Sequence, residues 1–186
     1  MEIESKKVNL RAMRLDDAGH FVSWLKDPDI SRFINAHGES VEAQRELIAQ
    51  ALNHHDTSKI FSVETKDGAL IGKTGFFIDK KNSNAEFFIF IGEKKFWRGG
   101  YGYDVCKTMW DYGFKALGLH RIYSDIAEDN VPIKNLWKKL GNPGKIEGKK
   151  REHFFYDGAF HDAIHIAILR DEWLKSAPER KKHTSE

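Results

Sequence analysis

Apolar and polar positions follow two periods along this chain, and the changes between them mark the elements. Val8–Met13 reads as a strand. Asp16 or Asp17 then caps a helix running to about Lys26, with Phe21, Trp24 and Leu25 on its apolar side. Pro28 opens a short turn or helix to Ile34. Ser40 caps a helix from Val41 to about Asn53, where Val41, Leu47, Ile48 and Leu52 fall close to helical spacing. The period then shortens. Ile60–Glu64 and Leu70–Ile78 read as strands around an Asp67-Gly68 hairpin turn, and Asn82-Ser83-Asn84 turns into a third strand, Ala85–Ile91. That strand is almost wholly apolar, which points to burial on both faces. After Gly99-Gly100-Tyr101-Gly102 comes a helix with Val105, Met109, Tyr112 and Ala116 on one stripe, ending at Gly118. Arg121–Ile126 is a strand. Asn130 caps a helix with Pro132 in its first turn, which stops at Leu140-Gly141 before Pro143. Strands at about Lys150–Tyr156 and Phe160–Leu169 flank an Asp157-Gly158 turn. The order is that of an α/β protein with a mixed sheet.

Composition narrows the class. The 186 residues amount to one domain, and 13 Phe and 5 Trp are enough for a packed core. Lys and Arg exceed Asp and Glu by only two, which argues against a dedicated nucleic-acid binder. The longest apolar run, Phe87–Ile91, is far short of the ~18 residues of a membrane span, and the N-terminus has no signal-peptide pattern. One cysteine, Cys106, excludes an intrachain disulfide framework and reads as a buried, inert thiol. These absences lead us to expect a cytoplasmic protein with no membrane or nucleic-acid partner. The polar stretch from Lys175 to Glu186 reads as a frayed tail, leaving residues 1–174 as the domain.

The glycine cluster is the first candidate for chemistry. It joins a buried strand to a helix, where backbone N–H groups and the helix N-terminus favour a phosphate or pyrophosphate. Arg98 and Lys94 add cations beside it. A dinucleotide fingerprint would need a third glycine where Val105 stands, and a P-loop would need Lys-Ser/Thr where Tyr103-Asp104 stand. The glycines also suit a tight turn with close helix–strand packing. The nine histidines do not form a metal motif: His54-His55 are adjacent, and His161 and His165 lie ~13 Å apart along a strand. No metal site is expected.

Ile91-Gly92-Glu93-Lys94 followed by Trp97 through Gly102 resembles the acetyl-coenzyme A pyrophosphate loop of the GNAT N-acetyltransferase superfamily. The likeness is greatest to its ribosomal-protein-alanine (RimJ/RimL-like) branch. A second matching stretch is Glu128-Asp129-Asn130 with Lys139-Leu140-Gly141, and the hairpin at Asp157-Gly158 closing on Arg170-Asp171-Glu172-Trp173 is similar to the branch as well. The resemblance implies a single GNAT-like domain with a central mixed, mostly antiparallel sheet of about seven strands and about four helices. It implies a cosubstrate site for acetyl-CoA made by Phe90, Ile91, Trp97, Arg98, Gly99, Gly100, Tyr101, Gly102, Tyr103, Asn130 and Trp137. Backbone N–H groups near Phe90 and Ile91 would hold the thioester carbonyl, between strands that splay apart. Asn130 has two compatible readings, as a helix cap and as a contact to the pantetheine arm.

The activity implied is direct transfer of the acetyl group to a primary amine: a protein N-terminus, polyamine, aminoglycoside or amino sugar. Glu86, which interrupts the apolar strand, is the first candidate for the base; Asp125 and Glu128 are weaker ones. The chain departs from the family in having Ile133 in place of a common Ser, Trp137 where a tyrosine acid stands, and Asn142 for a Phe. Those losses keep open a non-catalytic acyl-CoA-binding sensor or scaffold. His153 or His161 could line the acceptor pocket, although both also suit an exposed hairpin. Trp24, Phe33 and Ile34 lie in the region that covers that pocket in relatives, but they suit core packing equally well. A homodimer is compatible with the branch.

Overall fold

A computed structural model describes residues 2–34, 40–54 and 56–176. The chain runs β1 (Glu2–Glu4), β2 (Val8–Ala12), α1 (Ala18–Leu25), α2 (Pro28–Ser31), α3 (Val41–Asn53), β3 (Ser58–Thr65), β4 (Leu70–Asp79) and β5 (Asn84–Ile91). It continues through α4 (Tyr101–Asp111), a π-helical turn (Tyr112–Ala116), β6 (Arg121–Ala127), α5 (Val131–Lys139), β7 (Lys145–Tyr156), β8 (Ala159–Leu169) and α6 (Arg170–Lys175). The strands are hydrogen-bonded in the order β1-β2-β3-β4-β5-β6-β8-β7. The β5–β6 pair is parallel, while β1–β2, β2–β3, β3–β4, β6–β8 and β7–β8 are antiparallel.

The mixed, mostly antiparallel sheet agrees with the expected architecture, with eight described strands in place of about seven. The extra one is β1, three residues too short to show alternation. Two short helices also exceed the expected four. Turns follow their local chemistry closely: Gly68 takes φ +86°, and Asp157 and Gly158 take +50° and +76°, values a tight hairpin needs. Ser40 caps α3 by accepting from the Ala43 N–H at 3.1 Å. Gly141, at φ +81°, ends α5. Most of the expected tail, residues 177–186, lies outside the described residues.

Contacts gather into two units. The first holds the described residues up to Ile78 together with Phe87–Met109. Its core cluster joins Met13, Ala18, Phe21, Trp24, Ile30, Ile48 and Phe90. The second holds Asp79–Glu86 and the described residues from Trp110 onward. There Trp110 packs edge-on against Trp173 and Trp137, each with ring centroids 5.3 Å apart. The Trp173 indole donates to Asp111 Oδ1 at 2.9 Å. β5 is continuous through both: Asn84–Glu86 belong to the second unit and Phe87–Ile91 to the first.

Asp17 corrects an expectation. It does not cap α1 with its side chain. The residue is 5% exposed, and its carboxylate takes both terminal nitrogens of Arg11 at 2.8 Å, with the Ser62 hydroxyl donating at 2.6 Å. Arg11 Nε reaches Glu64 at 2.5 Å. Burial by itself would raise the Asp17 pKa, but the Arg11 and Ser62 hydrogen bonds outweigh it and hold the carboxyl below the usual range. A depressed carboxylate contributes stability above the unfolded-state pKa of about 3.9, lost as pH falls through the folded value. Asp17→Asn leaves Arg11 buried without its main partner, and unfolding in urea should register a loss of about 3 kcal/mol at neutral pH. That difference from wild type should shrink as the pH falls below about 4.

Candidate active site

The glycine loop is built from the first unit. Gly92 follows β5, and a Cβ there would lie 2.0 Å from the Trp24 ring, so the indole rests on bare backbone. The Trp24 N–H then donates to Glu93 Oε1 at 2.9 Å. Lys94 is not the mobile cation its sequence position suggested. Its ammonium is 2.7 Å from both Asp27 Oδ2 and Asp29 Oδ2, an arrangement the sequence could not show because those acids precede α2 and open it. The Trp97 indole N–H donates to the Ile91 carbonyl at 2.8 Å. Arg98 takes φ +63° and Gly100 +79°. The Asp104 N–H donates to the Gly100 carbonyl at 3.1 Å. The amides of Tyr101, Gly102 and Tyr103 therefore stand in the first turn of α4, where a helix has no acceptors of its own for them. Gly99 lies under the Tyr101 ring, which meets Phe96 edge-on at 5.0 Å. Arg98 is exposed and has no carboxylate partner among the described residues. Side-chain-poor backbone, first-turn amides and an unpaired guanidinium are the donor set a diphosphate requires, so these residues fit the phosphates of acetyl-CoA.

The second unit carries the candidate acid–base groups. The parallel ladder of β5 and β6 has three pairs, Asn84↔Arg121, Ala85↔Ile122 and Glu86↔Tyr123. Glu86 is half-buried and lacks a hydrogen-bond or ion-pair partner among the described residues. Its register partner Tyr123 has a raised pKa, from burial first and then from the negative charges of Glu86 and Asp125. Asp125 differs from Glu86. It receives Lys150 Nζ at 2.6 Å and the His165 ring at 2.7 Å. Burial pushes its pKa up, but those two partners hold it below the usual carboxylate range. Glu128, the other secondary candidate, is paired with Lys149 at 2.7 Å.

Sequence reasoning weighed His165 only as a metal ligand and did not see its partners. Arg121 Nη2 lies 3.0 Å from its Nε2, and a guanidinium can only donate. Nε2 is therefore the acceptor, and Nδ1 carries the proton given to Asp125. Arg121 also clamps Glu147 through two contacts of 2.6 Å. Nothing local foretells this network, since β8 returns His165 to Asp125 from forty residues away.

The remaining predicted residues are placed as follows. The Asn130 side chain accepts from the Ile133 N–H at 3.2 Å, the capping half of its two readings. Trp137 is half-buried against Trp110. Phe90 is buried in the core of the first unit and meets Trp24 edge-on at 5.5 Å. Trp24 and Ile34 likewise serve the core. His161 stacks on Tyr156 at 3.8 Å, beside a shallow recess lined by Glu128, Asp129, Glu152, Phe160 and Asp162. His153 Nε2 is 4.0 Å from Asp125. Cys106 is fully enclosed, and burial pushes its thiol far above the usual range, so it stays a thiol. Among the described residues, no helix is long and apolar enough to cross a membrane.

Comparisons with known proteins identify the family. A family model described as an acetyltransferase (GNAT) domain matches residues 7–142. The uncharacterized N-acetyltransferase p20 of Bacillus licheniformis is 26% identical over 174 residues, covering 91% of this chain and 96% of its own. The putative ribosomal N-acetyltransferase YdaF of Bacillus subtilis is 29% identical over 108 residues, 58% of this chain and 57% of its own. Among solved structures, spermidine N-acetyltransferase from Vibrio cholerae in complex with CoA and spermine superposes with a TM-score of 0.81 at 27% identity, covering 90% of this chain and 98% of that one. With the family model spanning most of its length, this chain belongs to the GNAT family and is an acetyl-CoA-dependent N-acetyltransferase.

Proposed function

We propose that the acceptor is a small polycationic amine of the polyamine class and that Glu86 is the base that takes its proton. The observation that carries this reading is the unpaired state of Glu86. In the same unit, Asp125, Glu147, Glu128 and Asp162 are each held by a lysine or arginine. A carboxylate with no internal cation is the one able to receive an ammonium from outside and then its proton. The relative from Vibrio cholerae is named for spermidine and was solved with spermine, which favours the same acceptor class. A protein N-terminus is the second reading, favoured by the resemblance to the ribosomal branch and the similarity to YdaF.

Acetyl-CoA supplies the thioester, and the chain supplies the rest. An ammonium with a lysine-like pKa of about 10.4 is almost wholly protonated at neutral pH, so the base must free the attacking lone pair. No covalent enzyme intermediate is needed, because holding the amine against the thioester removes most of the entropic barrier. The amides at Tyr101–Tyr103 and the Arg98 guanidinium hold the diphosphate, and amides near Phe90 and Ile91 hold the acetyl carbonyl. The resemblance to the family assigns Asn130 and Trp137 to the pantetheine arm. Trp137 carries only an indole N–H and cannot supply a proton to a thiolate. A thiol of cysteine-like pKa, about 8.5, can leave as the anion and take its proton from solvent.

Release of CoA thiol across a panel of spermidine, spermine, N-terminal peptides, an aminoglycoside and glucosamine tests the acceptor. Turnover should be greatest with the polyamines; preference for peptides would give the second reading. Tight CoA binding with no turnover for any amine would instead mark a sensor module. Glu86→Gln should lower kcat by about 10²–10⁴-fold while CoA affinity stays near wild type, and a loss under threefold at saturating amine removes Glu86 from the mechanism. Gly100→Asp strains a left-handed position and puts a carboxylate beside the phosphates, so calorimetry should show CoA binding weakened by at least about tenfold. Trp137→Phe should keep most of the activity, and the rate profile should show no descending limb near the ordinary tyrosine pKa of about 10.

A further inference from the structure

We propose that Lys7, in the turn between β1 and β2, supplies a cation to the CoA diphosphate at the glycine loop, and that Asp104 is the residue that positions it. This rests on the reading of the loop as the diphosphate site. No sequence motif includes Lys7, which lies more than ninety residues from the loop.

The geometry begins with Gly100. A Cβ built on this glycine would have Lys7 Cε at 3.6 Å and Lys7 Nζ at 4.0 Å as its nearest neighbours. The lysine thus lies along the bare backbone of the residue that opens α4. Its ammonium is 5.4 Å from the centroid of the Tyr101 ring, a cation–π contact. Lys7 is exposed, and no carboxylate pairs with its ammonium among the described residues. It differs in this from Lys94, which Asp27 and Asp29 already occupy.

Asp104 explains why the turn stands where it does. A carboxylate in the first turn of a helix ordinarily serves the helix amides and would repel a phosphate arriving there. Here Asp104 Oδ2 accepts from the Lys7 backbone N–H at 2.7 Å and from the Ser5 hydroxyl. The turn is closed by the Val8 N–H donating to Ser5 Oγ at 3.2 Å and the Ser5 N–H donating to the Val8 carbonyl at 3.0 Å. The acid is spent on holding the turn, and the turn delivers an ammonium to the loop. Asp104 holds Lys7 by its backbone, so Lys7→Ala keeps the turn and removes only the cation.

Titration calorimetry with CoA, 3′-dephospho-CoA and pantetheine, on folded wild type, Lys7→Ala, Lys7→Glu and the neighbouring control Lys6→Ala, tests the assignment. Lys7→Ala should bind CoA and 3′-dephospho-CoA about tenfold more weakly, the size expected for one charge-assisted hydrogen bond. Lys7→Glu should lose more, and Lys6→Ala less than about twofold, because Lys6 shares the charge but not the position. Pantetheine, which has no diphosphate, should bind all four alike. In an Asp104→Ala background, Lys7→Ala should cost less than it does alone, because the turn no longer presents the ammonium. Wild-type affinity for CoA in Lys7→Ala and Lys7→Glu overturns the role of Lys7 and leaves the loop reading standing. A loss confined to CoA and absent with 3′-dephospho-CoA overturns the diphosphate assignment in favour of the 3′-phosphate. An equal cost of Lys7→Ala with and without Asp104 overturns the positioning role. Failure of wild type to bind CoA at all overturns the loop reading itself.

Discussion

At Gly92 a Cβ would stand 2.0 Å from the Trp24 ring, and the segment after β5 depends on that close approach. The indole can lie flat on the backbone only because nothing projects from it. From there its N–H reaches Glu93, while Lys94, the next residue, reaches Asp27 and Asp29 at the start of α2. The chain is thereby fastened before it enters the loop, and Trp97 fastens it again through the Ile91 carbonyl. Beyond those anchors the backbone can adopt the left-handed conformations at Arg98 and Gly100. For Arg98, a non-glycine residue, such a conformation costs energy and persists because its surroundings hold it. The anchors serve to present unsatisfied amides in one place.

Charge is distributed by the same economy. Arg11, Lys94, Arg121, Lys149 and Lys150 are each committed to carboxylates. Asp17 and Asp125 both have pKa values held below the usual carboxylate range despite burial, by the cations and hydrogen-bond donors around them. Groups locked in this way make a scaffold and are poor at exchanging protons. Glu86, half-buried in the strand, has no such partner among the described residues, and the candidate chemistry follows from that difference.

Family membership and catalytic detail come apart in this chain. The glycine loop and the Asn130 turn resemble the family's cosubstrate motifs, and the family model spans residues 7–142, which include both. Trp137 serves the core of the second unit by packing against Trp110, which itself meets Trp173. A tyrosine there would bring a phenol that must find a hydrogen-bond partner. The indole brings no titratable proton to this position.

The sequence alone determined whatever depends on a few consecutive residues. Ser40 and Asn130 cap their helices, Asp67-Gly68 and Asp157-Gly158 turn their hairpins, and the glycines open α4, because caps, turns and left-handed positions are decided by near neighbours. The order of these elements, with the loop motif, was enough to indicate the family. The short β1 and the π-helical turn escaped, being too brief to carry a period. The partners of the charged side chains were decided only by the tertiary structure. Asp17 reads as a cap and folds as half of a buried ion pair; Lys94 reads as a phosphate cation and folds as a clasp on α2. Lys7 and His165 carry no local signal, and they acquire meaning from Asp104 and Asp125, which are distant in the chain. An ion pair's energy depends on separation in space, and the sheet that sets those separations forms from strands whose sequence distance says little about their adjacency.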